Sequence, residues 1–463
     1  MSRKTRQKSK HRKQQQHQRE IPVAPIETRY RGREILRDVL KGLLFIAIVL
    51  SAKLIIERTT FGKHLELMSY SFLQTKLSAQ PAPITIVDIS DLPPKDFIVN
   101  RETVTATPRE PLKEMIEALA DQHARAIGID VDFSPDENGY ILPSDPDFFQ
   151  FCLDTGKQRG VRVFLGIKRT IVKPPAEWMG DAKYEDLAAN ILIPKDSRRM
   201  VNLIQVGGEA GAGQNGKPSK AMSVQLADAY GVGGSGATFN RIHGFLIRPL
   251  ASAGLVEKLS EKEIGPGVSV QDFLIDYGPL ESIETIPVTD AAALREPNQR
   301  PRIEGKIVLI GDATLGKATD TFVVPGRDQP VPGILVHACA AYTMLKAPLY
   351  ELTSRGHLVI DILLSGLILG AIILIGLRYG NLEAREQATN RLRGLFTWVT
   401  VIAAIVVGVV FVRLTRIMWD DFFLALILLV FHPSIEHKAE GLWKKIRKQS
   451  PVASHPRIAQ EHD

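Results

Sequence analysis

The sequence predicts an α/β extracytoplasmic domain with a mostly parallel sheet, plus four transmembrane α-helices. Two observations support this fold class. The apolar segments lie near the two ends of the chain, whereas the long middle region has the composition of a globular protein. That middle region alternates short apolar runs with amphipathic segments, a pattern typical of a parallel sheet covered by helices on both faces.

The N-terminal flank, residues 1–38, begins with a basic, glutamine-rich run that has no apolar face. Such a composition predicts a disordered tail. Nucleic-acid binding is one interpretation of these charges. The preferred interpretation is a cytoplasmic flank that contacts anionic lipid, so no nucleic-acid partner is expected.

Four apolar segments are predicted to cross the membrane as helices. A helix rises about 1.5 Å per residue, so about 20 residues cross an apolar layer of about 30 Å. The first segment has no convincing cleavage site, which favours an uncleaved anchor over a signal peptide. The last is the weakest, because Asp420 and Asp421 lie close to its start. The predicted spans are residues 39–56, 357–377, 397–414 and 417–437.

The basic residues outside the middle region predict the orientation. Lysine and arginine are concentrated in residues 1–38, in the loop 378–396 and in the tail 438–463. With four spans these flanks lie on one side, and the positive-inside rule assigns that side to the cytoplasm. The predicted location is the plasma (inner) membrane, multi-pass, with both termini cytoplasmic and residues 57–356 outside. The lipid bilayer is therefore an expected partner.

The middle region begins with a predicted strand–helix–strand unit. The strand ITIVDIS is followed by the helix PLKEMIEALADQHA and the strand RAIGIDVDF. Such a unit normally places its two strands side by side in a parallel sheet. The later predicted helices are DPDFFQFCLDTGKQRG, with Asp145 as its N-cap, SKAMSVQLADAYG and VHACAAYTMLKA. The later predicted strands are VRVFLGI, VNLIQVGG, DFLIDYG and KIVLIGD.

The two cysteines, Cys152 and Cys339, each lie in an apolar helical pattern. Small buried thiols are the preferred interpretation of such positions. An oxidising compartment would also permit a disulfide between them, and that alternative stays open.

Two glycine-rich stretches, residues 211–218 and 311–318, have the GxxxxGK spacing of a phosphate-binding loop. In that loop the next residue is a serine or threonine whose hydroxyl binds Mg²⁺. Here the position is occupied by Pro218 and Ala318. We therefore do not predict nucleotide binding, and no cofactor is expected.

Four aspartates lie at predicted strand ends: Asp88, Asp130, Asp132 and Asp312. In open parallel sheets, ligands bind beyond the carboxyl ends of the strands. Asp130 and Asp132 are two residues apart and are expected on one face of their strand. The preferred interpretation is that these aspartates cap loops and helix N-termini. No catalytic set can be assembled by spacing, so no catalytic residue and no metal site are predicted.

Four segments together are similar to a known family. They are ITIVDIS, ALADQHARAIGIDVDFS, KIVLIGDATLGKATDTFVVP and VPGILVHACAAYTMLKAPLY. The sequence resembles the type-2 CHASE domain, the cyclase- and histidine-kinase-associated extracellular sensor, from about Leu65 to Leu352. The most specific part is the pattern IGxxxxGxxxD followed by PGxxxHA. It is carried by Gly311, Gly316, Asp320, Pro332, Gly333, His337 and Ala338.

The resemblance implies an extracytoplasmic sensory module whose ligands are generally undefined. It makes Gly311, Gly316, Asp320, Gly333 and His337 candidates for a shared ligand pocket or for determinants of the fold. Family members usually carry a cyclase, kinase or similar output domain after the last helix. The short tail that follows the last predicted span is expected to be too small for such a domain.

The first functional hypothesis is therefore a membrane sensory protein, not an enzyme, that signals through a separate protein or a second copy of itself. The first alternative is an envelope scaffold protein whose outer domain binds another envelope protein. The second is an extracytoplasmic enzyme that uses the strand-end carboxylates. The expected partners are an unknown extracytoplasmic ligand, a signalling or envelope protein, and a second copy.

Overall fold

The computed structural model divides the chain into two compact units. The larger comprises Glu57–Ile360 and Val401–Leu426, and the smaller comprises Met1–Ile56, Asp361–Thr400 and Ile427–Asp463. The structure describes residues 26–77, 81–134, 141–168, 182–194, 197–206, 219–231, 245, 247–265, 268–315, 318, 320–346, 348–363, 366, 401–428 and 441–442.

The strands are β1 (Ile84–Asp88), β2 (Lys95–Val99), β3 (Glu102–Ala106), β4 (Ala126–Ile129), β5 (Arg162–Ile167), β6 (Ala188–Asn190), β7 (Arg199–Val206), β8 (Ser219–Lys220), β9 (Val256–Glu257), β10 (Ser260–Gly265), β11 (Val268–Leu274), β12 (Glu284–Pro287), β13 (Ile307–Gly311), β14 (Thr321–Phe322), β15 (Val331–Pro332), β16 (Tyr350–Leu352) and β17 (Ile417–Met418). The helices are α1 (Ile26–Glu57), α2 (Thr60–Gln74), α3 (Arg109–Asp121), α4 (Asp145–Arg159), α5 (Met222–Tyr230), α6 (Ala291–Leu294), α7 (Arg300–Ile303) and α8 (Gly333–Lys346). Further helical residues are 247–252, 354–363, 401–415 and 422–428.

A six-stranded sheet in the order β12-β1-β13-β4-β5-β6 forms the centre of the larger unit, and all its strand pairs are parallel. The prediction of an α/β domain with a mostly parallel sheet is confirmed. The expected pairing of β1 with β4 is wrong, because β13 lies between them. Three strand ends that are far apart in the sequence therefore lie side by side.

Successive side chains of the central strands enter two different cores, because they point to opposite faces of the sheet. Val308 and Ile310 of β13 belong to the core formed with α3 and α4. Ile307 and Leu309 belong to the core formed with α5 and α8. With both faces covered, the strands have continuous apolar sequences.

The two cysteines belong to different cores. Cys152 of α4 lies in the core on one face of the sheet, and Cys339 of α8 lies in the core on the other. Both are free and buried. The preferred interpretation, two buried thiols, is confirmed.

Two of the predicted strands do not join the central sheet. VNLIQVGG corresponds to β7 and DFLIDYG to β11, and these pair antiparallel in a four-stranded sheet of order β10-β11-β7-β8. The parallel sheet is therefore accompanied by an antiparallel one, which the alternation of strands and helices in the sequence did not predict.

The larger unit also contains residues 401–426, which hydropathy had assigned to the membrane. In this segment, β17 pairs in parallel with β16. The ring of Phe422, which is almost fully buried, stacks on Phe72 of α2 with 5.9 Å between the ring centroids. A strand pair and an aromatic contact thus attach the segment to the domain.

Within the described residues, no helix combines the length and the apolar character needed to cross a membrane. The prediction of four transmembrane helices is therefore wrong for this part of the chain. In α1, Nζ of Lys53 donates a hydrogen bond of 2.7 Å to Oδ2 of Asp361.

Some predictions concern residues outside the described ranges. These are residues 1–25 of the predicted tail, the glycine-rich stretch 211–218, the motif residue Gly316, the loop 378–396, the tail 438–463 apart from 441–442, and parts of three predicted spans (residues 364–365, 367–377, 397–400 and 429–437). Residues 26–38, which the composition had assigned to the disordered tail, are helical as the first part of α1.

Candidate functional site

The carboxyl ends of β1, β13 and β4 bring most of the predicted site residues to one edge of the central sheet. Asp88, the last residue of β1, is in register with Gly311, the last residue of β13. Asp312 follows β13 directly. Asp130 follows β4, and its backbone N–H donates a hydrogen bond of 2.8 Å to the carbonyl of Ile310. The edge of the sheet thus collects three aspartates from three strands.

Asp88 holds the loop after β13. Its Oδ1 accepts hydrogen bonds from the backbone N–H groups of Ser90 (3.0 Å) and Ala313 (2.9 Å), and its Oδ2 accepts one from the hydroxyl of Thr314 (2.5 Å). Burial alone would raise the pKa of Asp88, but these hydrogen bonds bring it below its ordinary value. Asp88 therefore has the capping role that was the preferred interpretation for the strand-end aspartates.

Asp130 and Asp132 differ in their surroundings although they are two residues apart. The strand ends at Ile129, so its alternation does not continue through both aspartates. The Asp130 side chain is 10% exposed. Asp132 is exposed, and its Oδ1 accepts a hydrogen bond of 2.9 Å from the backbone N–H of Ser134. Asp132 therefore stabilises a turn, as a capping residue does.

Asp130 is surrounded by other carboxylates. Burial raises the pKa of Asp130 to about 7, the charge of Asp320 acts in the same direction, and Lys168 opposes it. Asp312 and Asp132 make smaller contributions that also raise this pKa. Near neutral pH, Asp130 is therefore a carboxyl group that holds a proton about half of the time.

His337 of α8 lies beside Asp130. Its Nε2 is 3.9 Å from Oδ1 of Asp130, and its side chain is 1% exposed. Neither ring nitrogen meets the distance and angle of a full hydrogen bond to a described residue, although the Ile191 backbone lies near enough to interact with the ring. Burial lowers the pKa of His337 to about 4, and the interaction with Ile191 opposes this change. At neutral pH the imidazole is uncharged, so the two side chains do not form an ion pair.

Two motif glycines allow the acidic side chains to approach the backbone closely. A Cβ atom on Gly311 would lie 3.0 Å from the Cβ of Asp130 and 2.9 Å from Cδ1 of Ile334. A Cβ atom on Gly333 would collide with the carboxylate of Asp320. The backbone N–H of Gly333 also donates a hydrogen bond of 3.2 Å to the carbonyl of Asp320. Glycine at these two motif positions therefore leaves the space that Asp130 and Asp320 occupy.

We call Asp130, Asp132, Asp312, Asp320 and His337 the acidic cluster. Asp132 and Asp320 are exposed, Asp312 is half-buried, and Asp130 and His337 lie deeper. Burial, Asp88 and Asp320 raise the pKa of Asp312. Carboxylates that raise one another's pKa values create a negative potential, which favours a positively charged ligand.

Sequence reasoning missed Lys168, whose charge acts on Asp130. Its signal was available, because Lys168 directly follows β5, the strand next to β4. Sequence reasoning also did not place His337 against Asp130, since that contact depends on how α8 packs on the sheet.

The acidic cluster does not form a compact metal site. Among the described residues, one group of three potential ligands has its ligand atoms within 4.8 Å of one another, and it consists of His357, Asp420 and Asp421. A ligand of the acidic cluster would therefore have to reach carboxylates that are farther apart, as a small organic cation can.

Comparison with known proteins identifies a family. Residues 43–377 match the family model of the CHASE2 domain. No curated protein and no solved structure is significantly similar to the chain. The matched range is more than half of the chain and contains the whole acidic cluster.

Proposed function

The chain belongs to the CHASE2 domain family, and from this premise we propose that it senses a small organic cation and passes the signal to a separate protein. As a CHASE2 domain, the matched region is an extracytoplasmic sensor.

The observation that carries the proposal is the position of Asp130. Its carboxyl group is nearly buried, four ionisable neighbours act on it, and its pKa is raised to about 7. A proton on Asp130 relieves the repulsion from the surrounding carboxylates. A bound cation would relieve the same repulsion and replace that proton.

The gradient of exposure across the cluster suits binding from solvent. A cation would first meet Asp132 and Asp320, which are exposed, and then Asp130 at the buried end. His337 is uncharged at neutral pH and offers nitrogen atoms that make no full hydrogen bond to a described residue. An ammonium or guanidinium group has N–H donors that pair with carboxylates and with a neutral imidazole.

Helix α8 supports a route from the acidic cluster to residues 401–426. Near its start α8 carries His337, and six residues later it carries Thr343. The Thr343 Oγ1 accepts a hydrogen bond of 2.8 Å from the backbone N–H of Asp276. Oδ2 of Asp276 accepts one of 2.5 Å from Nη2 of Arg416, which belongs to the segment. A shift of α8 on ligand binding would therefore act on residues 401–426 through two hydrogen bonds.

The proposed location is the outer side of the plasma (inner) membrane. Family membership supports this location. The proposed partner is a separate signalling protein or a second copy of the chain. The alternative function of the chain is that of an envelope scaffold protein. Co-purification separates the two, because a signalling enzyme among the partners favours sensing and envelope-assembly proteins alone would refute it.

Ligand binding can be tested by thermal unfolding of the full chain with three cations: ethylammonium, 1,4-diaminobutane and methylguanidinium. We expect at least one of them to raise the unfolding temperature, and acetate not to do so. Asp130→Asn should abolish the rise. The matched control is Asp121→Asn, which removes an exposed carboxylate paired with Arg159 and should leave the rise intact.

Two outcomes would count against this function. If all three cations leave the unfolding temperature unchanged, or if Asp130→Asn responds as the native protein does, the acidic cluster is not the ligand site. If the cation is chemically converted during incubation, the enzymatic alternative replaces the sensory one. Mass spectrometry of the recovered cation gives that readout.

A further inference from the structure

Three potential metal ligands meet in the larger unit away from the acidic cluster. Nε2 of His357 lies 3.3 Å from Oδ1 of Asp420, and Nδ1 of His357 lies 3.0 Å from Oδ2 of Asp421. One ligand atom from each of the three residues falls within 4.8 Å of the other two. His357 lies in the helix over residues 354–363, and the two aspartates form the turn before the helix over residues 422–428.

We propose that His357, Asp420 and Asp421 bind a divalent transition-metal ion, with zinc as the best-fitting example. The ion would join residues 401–426 to the helix that follows β16. This site is independent of the proposed sensing of organic cations, since it shares no residue with the acidic cluster.

The three residues lie within reach of one metal ion. Zinc binds imidazole nitrogen and carboxylate oxygen at about 2.0–2.2 Å, so two ligands of one tetrahedral or octahedral ion are about 3.0–3.5 Å apart. The two aspartates face different ring nitrogens, Asp420 at Nε2 (3.3 Å) and Asp421 at Nδ1 (3.0 Å). One ligand atom from each residue nevertheless lies within 4.8 Å of the other two. Rotation of the imidazole and the carboxylates would therefore bring one nitrogen and two oxygens onto a single ion.

The donor set indicates the class of metal. Calcium and magnesium prefer sites made of oxygen ligands alone, whereas imidazole suits zinc, iron, cobalt and nickel. Three protein ligands leave a coordination position for water, as in zinc sites that are not closed.

The backbone holds the ligands in place before a metal binds. The hydroxyl of Thr353 caps the helix that carries His357, because it accepts a hydrogen bond of 3.1 Å from the N–H of Gly356. The same hydroxyl donates a hydrogen bond of 2.7 Å to the carbonyl of Gly254. On the other side, the N–H of Phe422 donates a hydrogen bond of 3.2 Å to the carbonyl of Trp419 and closes the turn. Prepositioned ligands reduce the ordering that binding requires.

The three side chains are accessible to an ion in solution. The exposed fractions are 21% for His357, 41% for Asp420 and 15% for Asp421. Without a metal, the same geometry serves as an ion pair between an imidazolium and two carboxylates. Metal binding and a simple ion pair therefore make opposite predictions for a titration with zinc.

The test is calorimetric titration of the full chain, after treatment with a chelator, with zinc, cobalt and magnesium ions. We expect one zinc ion per chain, much weaker binding of magnesium, and visible absorption bands on addition of cobalt. His357→Gln, Asp420→Asn and Asp421→Asn should each weaken zinc binding at least tenfold and remove the cobalt bands. Asp420→Asn changes the most exposed ligand, so it tests the site even if another variant fails to fold.

Two matched controls locate the site. His64→Gln changes an exposed histidine of α2 in the same unit, and Asp130→Asn changes the acidic cluster. Both should bind zinc as the native protein does. The proposal is overturned if the native chain binds no zinc, if all three ligand variants bind it normally, or if only Asp130→Asn abolishes binding.

Discussion

Nε2 of His337 and Oδ1 of Asp130 lie 3.9 Å apart, with both side chains almost fully removed from solvent. Burial raises the pKa of Asp130 to about 7 and lowers that of His337 to about 4. Between these pH values both groups are mainly uncharged, although an isolated pair would be ionised over much of this range. The folded domain therefore suppresses two charges that a ligand or a change of pH can restore.

The first prediction is a pH-dependent effect of Asp130→Asn. The pKa of Asp130 is about 7 in the folded protein and 3.8 ordinarily, so the folded state binds the proton more tightly. The contribution of Asp130 to the free energy of unfolding is complete below about pH 4 and is lost as the pH rises to about 7. Relative to the native protein, the free energy of unfolding of the variant should rise by on the order of 2–4 kcal/mol between pH 4 and pH 8. Urea unfolding of both proteins across this range measures the difference. A difference that does not change with pH would contradict the prediction.

The second prediction is the opposite trend for His337→Asn. The pKa of His337 is about 4 in the folded protein and 6.5 ordinarily, so its stabilising contribution is complete above pH 6.5 and lost as the pH falls to about 4. Relative to the native protein, this variant should therefore lose stability as the pH rises through that range. The same urea series tests it. Parallel trends in the two variants would refute the assigned protonation states.

The third prediction concerns Gly311→Ala. A Cβ atom at this position would press on Ile334 and on both the side chain and the carbonyl of Asp130. We expect a loss of about 1–3 kcal/mol in the free energy of unfolding, because the contacts involve backbone and a packed core. Gly156→Ala is the matched control in α4, where the nearest atom is 3.7 Å away. It should be neutral or stabilising by up to about 1 kcal/mol.

The fourth prediction concerns the buried ion pair of Arg416 and Asp276, whose Nη2 and Oδ2 atoms are 2.5 Å apart. Arg416→Met would leave the buried carboxylate of Asp276 without this charge partner. Removal of one member of such a pair costs about 3–5 kcal/mol. Arg300→Met is the control, because Arg300 pairs with Glu304 on an exposed helix surface. It should change the free energy of unfolding by about 0.5 kcal/mol or less. Equal effects of the two variants would contradict a stabilising role for the buried pair.

The elements of the central sheet could be predicted from the sequence because their signals are local. Apolar runs gave β1, β4, β5 and β13, and helical periodicity gave α3, α4, α5 and α8. The position of β13 between β1 and β4 could not be predicted, because pairing depends on contacts between distant segments. Asp145 shows the same limit on a smaller scale. It was predicted to cap α4, but it lies inside the helix and accepts a hydrogen bond of 2.6 Å from Nε of the buried Arg109.

Hydropathy gave a wrong prediction for the apolar C-terminal segment over residues 401–426. Its sequence predicted membrane spans, yet the described residues of 401–426 pack on the α/β domain through Arg416, Phe422 and β17. A hydropathy profile contains no information about contacts between distant residues, such as the one between Arg416 and Asp276.

The candidate site was predicted in part. Strand-end aspartates and motif glycines could be selected from the sequence, and the structure brings most of them to one edge. The capping role of Asp88, the raised pKa of Asp130 and the contribution of Lys168 depend on hydrogen bonds and distances that spacing does not reveal. The group of His357, Asp420 and Asp421 was missed because its members come from separate segments.

The most direct test of the central claim is calorimetric titration of the full chain with the most stabilising of the three organic cations at pH 6 and pH 8. If the cation replaces the proton of Asp130, binding should be about tenfold tighter at pH 8, because the ionised fraction of this carboxyl group rises about tenfold. Asp130→Asn should bind weakly and equally at both pH values. Equal affinity of the native protein at pH 6 and pH 8 would contradict the claim.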